Sequence, residues 1–353
     1  MNPPISPDNL VPALARLAAQ RGFSAGWRAS GEDPVQWQAA GLQLMQQLVL
    51  PDLPEPDFTP TLLAEEDRGD HVACHLRLTL TEGMEAEALL LLPKGDGPFP
   101  AALALHDHGS EFRIGKEKCI VPLGGPHPVA EAWLQRFFGG QSPGLGLVRL
   151  GFAVLSVDAL GWGGRQGNGY EAQQALAANL MAIGLTPAGL MAWEDRRAAA
   201  FLAGLPQVDA RRIGAIGFSL GGFRAWQVAA LSPHVSATVS ISWMASLPGL
   251  LVPGNNQLRG QSAFWMTHPL LFRHLDLPDI AGLAAPKPLW AEVGQGDPLF
   301  PAQAVTEAFA KLAEIWQARG AEAHLSLHRP PGAHSFLPDR QAEAFAWLAC
   351  QLG

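Results

Sequence analysis

Residues 211–224 read Arg-Arg-Ile-Gly-Ala-Ile-Gly-Phe-Ser-Leu-Gly-Gly-Phe-Arg, with Gly217-Phe218-Ser219-Leu220-Gly221 at their centre. Residues 213–218 form a short apolar run, the pattern of a strand buried on both faces. Residues 220–231 are rich in helix formers. A strand that turns into a helix at a serine holds that serine in a strained backbone, and its neighbours two positions away must be small. Gly217 and Gly221 meet that need, and Gly222 lets the helix lie close to the strand. The start of the helix presents unpaired N–H groups and the positive end of its dipole beside Ser219. That setting suits a nucleophile whose reaction develops an oxyanion. The bare pattern is weak, since a chain with 38 glycines in 353 residues holds roughly 0.2 such matches by chance. The surrounding sequence decides.

Further strands are expected at residues 74–81, 86–92, 101–105, 152–157, 237–242, 288–293 and 324–327, and helices at 171–183, 187–202, 302–319 and 339–351. Thr186-Pro187 supplies a cap and a first helical residue after the break at Gly184. Strands alternating with helices imply an α/β fold with a mostly parallel central sheet flanked by helices. The first two strands are joined too closely for a crossover helix, so they are expected as an antiparallel hairpin at one edge. Residues 1–60 read as an N-terminal helical extension, with Leu10, Leu14, Leu17, Leu42, Met45 and Leu48 on plausible faces; Pro51 to Pro56 ends its helical part. Residues 61–353 read as the α/β domain. Two cap-like inserts, at about 110–149 and 245–285, leave the C-terminal ends of strands, where such sheets bind ligands. They are expected as lids or pocket walls.

Bulk composition sets bounds. The chain is 48% hydrophobic and 16% charged, which favours a compact globule over disorder. A net charge of −8 argues against nucleic acid or an anionic membrane as partner. Three scattered cysteines, Cys74, Cys119 and Cys350, make neither a disulfide framework nor a zinc cage. The N-terminal twenty residues lack the pattern of an export signal, so a cytoplasmic location is expected. A homo-oligomer stays open.

The strand–serine–helix pattern resembles the turn of the α/β-hydrolases, in which an Asp or Glu and then a His follow the serine. Asp297, in Gly294-Gln-Gly-Asp-Pro298 after the strand at 288–293, is the acid candidate. Glu292 is its rival, but it sits inside the strand and should point into a helix layer. His334, in the Gly-containing loop after the last strand, is the base candidate; His324 and His328 read as surface or packing residues. The strand at 101–105 ends in His106-Asp107-His108-Gly109. The second oxyanion N–H is expected from His108, with Asp107 as the alternative, and the first from Leu220. His106 and His108 invite a metal reading, but no third ligand or HExxH is evident. His71, Cys74 and His75 fall on an edge strand whose residues alternate sides. No metal or cofactor is expected. Asp107, Trp243 and Arg165 are candidate substrate contacts. For Arg165 a salt bridge with Asp158 is preferred, and for Trp243 core packing is an equal alternative.

Trp193-Glu-Asp-Arg-Arg, Val208-Asp209, Arg212-Ile-Gly214 and Gly217 to Gly222 resemble the dienelactone hydrolase and acetyl xylan esterase-like branches of the α/β-hydrolases. His106-Asp-His-Gly109, Gly115-Lys-Glu-Lys118 and Val157-Asp-Ala-Leu-Gly161 point to the acetyl xylan esterase-like subgroup. The resemblance spans about residues 70 to 353. It implies an α/β-hydrolase fold and hydrolysis of a small ester through an acyl-enzyme, with Ser219, His334 and Asp297 as triad. Dienelactone hydrolases carry a cysteine at the nucleophile, which counts against their particular lactone chemistry here. Acyl transfer, amide or carbamate cleavage, and a non-catalytic binding protein on the same fold are the alternatives.

Overall fold

The computed structural model describes residues 16–17, 20–31, 33–252, 255 and 261–353. Leu10 and Leu14 lie outside them. One sheet of nine strands organises these residues: β1 (Thr61–Asp67), β2 (His71–Thr81), β3 (Met84–Pro93), β4 (Phe99–Leu105), β5 (Ala153–Val157), β6 (Val208–Phe218), β7 (Val235–Ile241), β8 (Leu289–Glu292) and β9 (Leu325–His328). Their spatial order is β1-β2-β3-β5-β4-β6-β7-β8-β9. The pairs from β1 to β5 are antiparallel, and those from β5 through β4 to β9 are parallel.

Alternation along the strands builds two cores. On β4, Ala101, Leu103 and Leu105 face Ala198, Phe201, Leu202, Ala225 and Val228, which belong to the helices Pro187–Ala203 and Leu220–Leu231. Ala102 and Ala104 face the opposite layer, where Leu147, Phe345 and Leu348 lie on the helices Pro143–Arg149 and Pro338–Leu352. Both faces are covered, so the strands read as continuous apolar runs. A third apolar body joins the helix Pro34–Leu48, through Trp37 and Met45, to the helix Ala302–Ala318 and to buried residues 265–285. Leu42 and Leu48 are half-buried beside it, and Leu17 is exposed. The Thr186 hydroxyl caps the helix Pro187–Ala203 by accepting from the Gly189 N–H at 2.9 Å.

One expectation is corrected: the β2–β3 hairpin forms, but β1 lies outside it and makes the edge. Of the two roles expected for the inserts, lid or pocket wall, both contribute walls, Trp133, Arg136 and Phe137 from the first and Ser262 and Met266 from the second, and both are rooted in the core. The helix Pro143–Arg149 is the crossover between β4 and β5 and packs in the core. Its sequence, Pro-Gly-Leu-Gly-Leu-Val-Arg, looks like a loop. The glycines are there for clearance: a Cβ on Gly144 would lie 2.6 Å from Ile120, and one on Gly146 would lie 2.6 Å from Phe345. In the second insert Trp265, Leu271, Leu275 and Ile280 are fully buried. Among the described residues, no single helix is long and apolar enough to cross a membrane.

The connections leave β4 in one direction, to β5, and return over it to β6. The crevice where the winding reverses opens at the C-terminal ends of β4 and β6, at His106 and Ser219. Ligands of open α/β sheets bind in that place.

Candidate active site

Ser219 stands between the end of β6 at Phe218 and the helix Leu220–Leu231, with φ 55° and ψ −125°. This left-handed backbone is costly for a non-glycine residue. The surroundings impose it: a Cβ on Gly217 would lie 2.1 Å from the Gly221 carbonyl oxygen, and one on Gly221 would lie 2.0 Å from that of Leu105. A Cβ on Gly222 would meet the Ile241 carbonyl oxygen at 2.8 Å. The three glycines therefore have the steric role read from the sequence. The turn lifts the Ser219 side chain off the sheet edge into a cavity of about 420 Å³.

His334 reaches Ser219 from the loop after β9. Its Nε2 lies 2.9 Å from the serine Oγ, and its Nδ1 lies 2.7 Å from Oδ2 of Asp297. Asp297 is buried, and its other oxygen accepts the Leu299 N–H at 3.0 Å. A carboxylate on one ring nitrogen fixes the proton there and leaves Nε2 free to accept from the serine hydroxyl. Phe218, at 4.7 Å between ring centres, and Phe300, at 6.4 Å, flank the imidazole. The three residues singled out in the sequence thus form one hydrogen-bonded line. Glu292, the rival acid, is buried under the helix Pro338–Leu352, where its carboxylate accepts from Arg340 at 2.6 Å. His328 stacks on Trp290, and His324 bonds the Pro286 carbonyl.

Residues Asp107, His108, Gly109 and Leu220 line the same cavity. Among the described residues, the N–H groups of His108 and Leu220 have no backbone acceptor. His106 is buried with both ring nitrogens engaged: Nδ1 donates to the Asp107 carbonyl at 2.9 Å and Nε2 accepts the Ala159 N–H at 3.1 Å. Burial and the neighbouring Arg224 push its pKa far down. His108 is driven down to about 3, first by burial and then by Lys118. Both imidazoles are neutral, and neither nitrogen of His106 is available to a metal. His75 is paired with Glu87 and His71 with Asp70.

Asp107 lines the cavity, and its carboxylate is held by Trp133 Nε1, itself in the wall, at 3.0 Å and approached by the buried Lys118 Nζ at 3.5 Å. Trp243 takes the packing alternative, and Arg165 makes the salt bridge that was preferred for it, though with a different acid. Trp243 is fully buried and packs with Phe223, Trp226 and Phe300; its indole N–H points at the Met266 sulfur, 2.8 Å away. It stands behind the cavity wall that Met266 forms. Arg165 is engaged by a carboxylate distant in sequence, forking onto both oxygens of Glu194 at 2.7 and 2.8 Å. It touches Asp158 only through the backbone carbonyl, at 3.1 Å. The wall residues missed in the sequence are Trp133, Arg136 and Phe137 on the helix Pro128–Phe138, with Tyr170, Ser262, Met266 and Leu299. The Tyr170 hydroxyl and Ser110 Oγ are 2.6 Å apart across the mouth.

Residues 145–349 match the dienelactone hydrolase family. The chain belongs to that family. The protein named hydrolase YtaP of Bacillus subtilis (strain 168) is 30% identical over 276 residues, which cover 77% of this chain and 86% of the relative. Among solved structures, a Bacteroides fragilis NCTC 9343 protein carrying the name of an acetyl xylan esterase superposes with a TM-score of 0.71 at 15% identity. The match covers 92% of this chain and 84% of that one. A glucuronoyl esterase from Solibacter usitatus gives a TM-score of 0.64 at 16% identity, over 90% and 92%. These two share the α/β-hydrolase fold with this member of the dienelactone hydrolase family. The family is one of hydrolases, and the serine at position 219 suits a serine-type member.

Proposed function

We propose that the chain is a serine carboxylesterase or deacetylase that hydrolyses a small ester through an acyl-enzyme. The observation that carries this reading is the line Ser219–His334–Asp297, with contacts of 2.9 and 2.7 Å. In this reading His334 takes the hydroxyl proton as Ser219 Oγ attacks the ester carbonyl carbon. The carbonyl π electrons move onto oxygen, and the N–H groups of Leu220 and His108 receive the resulting oxyanion. As the oxyanion collapses, the C–O bond to the leaving alcohol breaks, and His334 Nε2 returns its proton to that oxygen. Water, deprotonated by His334, then attacks the acyl carbon; as this second tetrahedral adduct collapses, the bond to Ser219 Oγ breaks and His334 Nε2 returns the proton to that oxygen, releasing the acid and restoring the Ser219 hydroxyl. Asp297 stays ionised and stabilises the imidazolium.

A cavity of about 420 Å³ has room for a small ester. Aromatic rings and hydroxyls at its mouth favour a polar leaving group, such as an acylated sugar, over a long alkyl chain. The test is Ser219→Ala, assayed on p-nitrophenyl acetate. Turnover should fall by several orders of magnitude, on the order of 10⁴ or more, because members of such a line act as a unit. A fluorophosphonate should add to Ser219 of the wild type and to nothing in the variant. Wild-type turnover by Ser219→Ala refutes the reading.

A further inference from the structure

The buried cation Lys118 has no part in the proposed catalytic line. Lys118 sits in a short 3₁₀ turn, Lys116–Lys118, and its side chain is 0% exposed. An ammonium is among the costliest groups to bury. Its neighbour Lys116 is met by the carboxylates of Asp158 and Glu117, both at 2.8 Å. Lys118 is treated differently. Its Nζ donates to two successive backbone carbonyls, those of Asp107 at 3.1 Å and His108 at 3.0 Å. Its nearest carboxylate oxygen, Oδ1 of Asp107, is 3.5 Å away.

These carbonyls belong to the loop that lines the cavity together with Ser219. In a trans peptide the C=O and the following N–H point in opposite directions. Drawing the Asp107 carbonyl toward Lys118 therefore turns the His108 N–H the other way. Drawing the His108 carbonyl inward does the same for Gly109. Other groups back this arrangement. Trp162 Nε1 also donates to the His108 carbonyl, at 2.9 Å, and Arg224 holds the His106 carbonyl at 3.1 Å. Trp133 donates to the second Asp107 oxygen at 3.0 Å, and its ring lies 4.8 Å from Lys118 Nζ.

We propose that Lys118 is a positioning residue for oxyanion stabilisation: from behind the loop 106–109, its ammonium anchors the Asp107 and His108 carbonyls and so aims the His108 N–H at the oxyanion formed on Ser219. The proposal rests on the serine hydrolase reading. Lys118 touches no reacting atom. Its contribution is a fixed orientation of peptide dipoles, the form of stabilisation that costs no reorganisation during reaction. A lysine that merely filled the core would be replaced without catalytic effect by methionine, which has similar length and no desolvation cost.

The experiment compares Lys118→Met with wild type on p-nitrophenyl acetate and on a trifluoromethyl ketone, whose adduct with Ser219 carries an oxyanion. The expected result is a kcat lower by about 100-fold, the usual cost of losing one oxyanion donor. KM should stay within about threefold, since the ground state loses little. Affinity for the ketone should weaken in step with kcat. Should Lys118→Met fail to fold, Lys118→Gln replaces it. Glutamine keeps a donor in the buried site but is one atom too short to reach both carbonyls, so the same joint loss is expected. Unchanged kcat and ketone affinity in the folded variant overturn the proposal. So does a loss of kcat with no matching loss of ketone affinity. A wild type that neither turns over the ester nor reacts with fluorophosphonate overturns the hydrolase reading and this inference together.

Discussion

Adding one methyl group at residue 221 is a sharp test of how the fold places Ser219. The Cβ of Gly221→Ala would stand 2.0 Å from the Leu105 carbonyl oxygen, 2.9 Å from its carbon and 3.2 Å from the His106 oxygen. All three atoms are backbone, so no side chain can rotate away. Leu105 ends β4 and pairs with Gly217 on β6, which pins it in the sheet. Relief must come from the start of the helix moving outward, by about 1 Å if the contact is to reach a tolerable 3 Å. Ser219 lies two residues upstream in the same turn, and its bond to His334 is 2.9 Å long. A shift of that size stretches the bond toward 4 Å and misplaces the nucleophile, an error that costs about 100-fold in rate. Overpacking of this kind also lowers stability by about 1–3 kcal/mol. The assay pairs p-nitrophenyl acetate kinetics and the rate of fluorophosphonate labelling with calorimetry on the purified variant. Both rates should fall together by about 100-fold while the protein still melts cooperatively. A folded variant with near wild-type kcat/KM would refute the claim that close contact between β4 and the helix fixes Ser219.

Arg224→Met should cost about 3–5 kcal/mol in denaturant unfolding, because it strands the buried Asp195 carboxylate that Arg224 grips at 2.7 and 2.9 Å; a loss below 1 kcal/mol would contradict this. Burial holds His268 down to about 3, with Nε2 donating to Gln227 at 2.6 Å. Below pH 6.5 the unfolded chain binds a proton there that the folded chain refuses, so this share of stability is full above pH 6.5 and lost as the pH falls toward 3. From pH 7 to 5 the loss is about 2 kcal/mol, and the drop in Tm over that interval should be smaller in His268→Phe than in wild type. Cys74 is buried with its thiol pushed up to about 11, and Cys119 is pushed up to about 12. N-ethylmaleimide at pH 7 should therefore modify the native chain at the exposed Cys350 alone, as read by peptide mass spectrometry; modification of Cys119 would show that its site opens.

The sheet and the Ser219–His334–Asp297 line were legible because they depend on local signals: apolar runs, glycine clearance and chain order. What escaped depends on who meets whom. The strand β1, Thr-Leu-Leu-Ala-Glu-Glu-Asp, is exposed along nearly its whole length, so no alternation marks it. The helix Pro143–Arg149 was hidden by glycines that serve packing against Ile120 and Phe345. Arg165 was matched to Asp158, in its own glycine-rich loop, whereas its partner Glu194 lies 29 residues on. Trp243 follows a strand that ends at the crevice, but the chain turns it inward onto Met266. Nothing in Lys-Glu-Lys at 116–118 signals that both lysines are buried, since a charged triplet ordinarily faces water.

The cavity wall has a bearing on how this scaffold can diversify. The helix Pro128–Phe138 turns Trp133, Arg136 and Phe137 to the cavity and sets Leu134 and Phe138 into the core beneath. The stretch around Met266 is likewise rooted by Trp265. A transplanted loop would tear out part of the foundation along with the wall. New specificities on this framework are therefore reached by exchanging single side chains on fixed backbone. Directed libraries belong at Trp133, Arg136, Phe137, Tyr170, Ser262 and Met266, with chain length left alone.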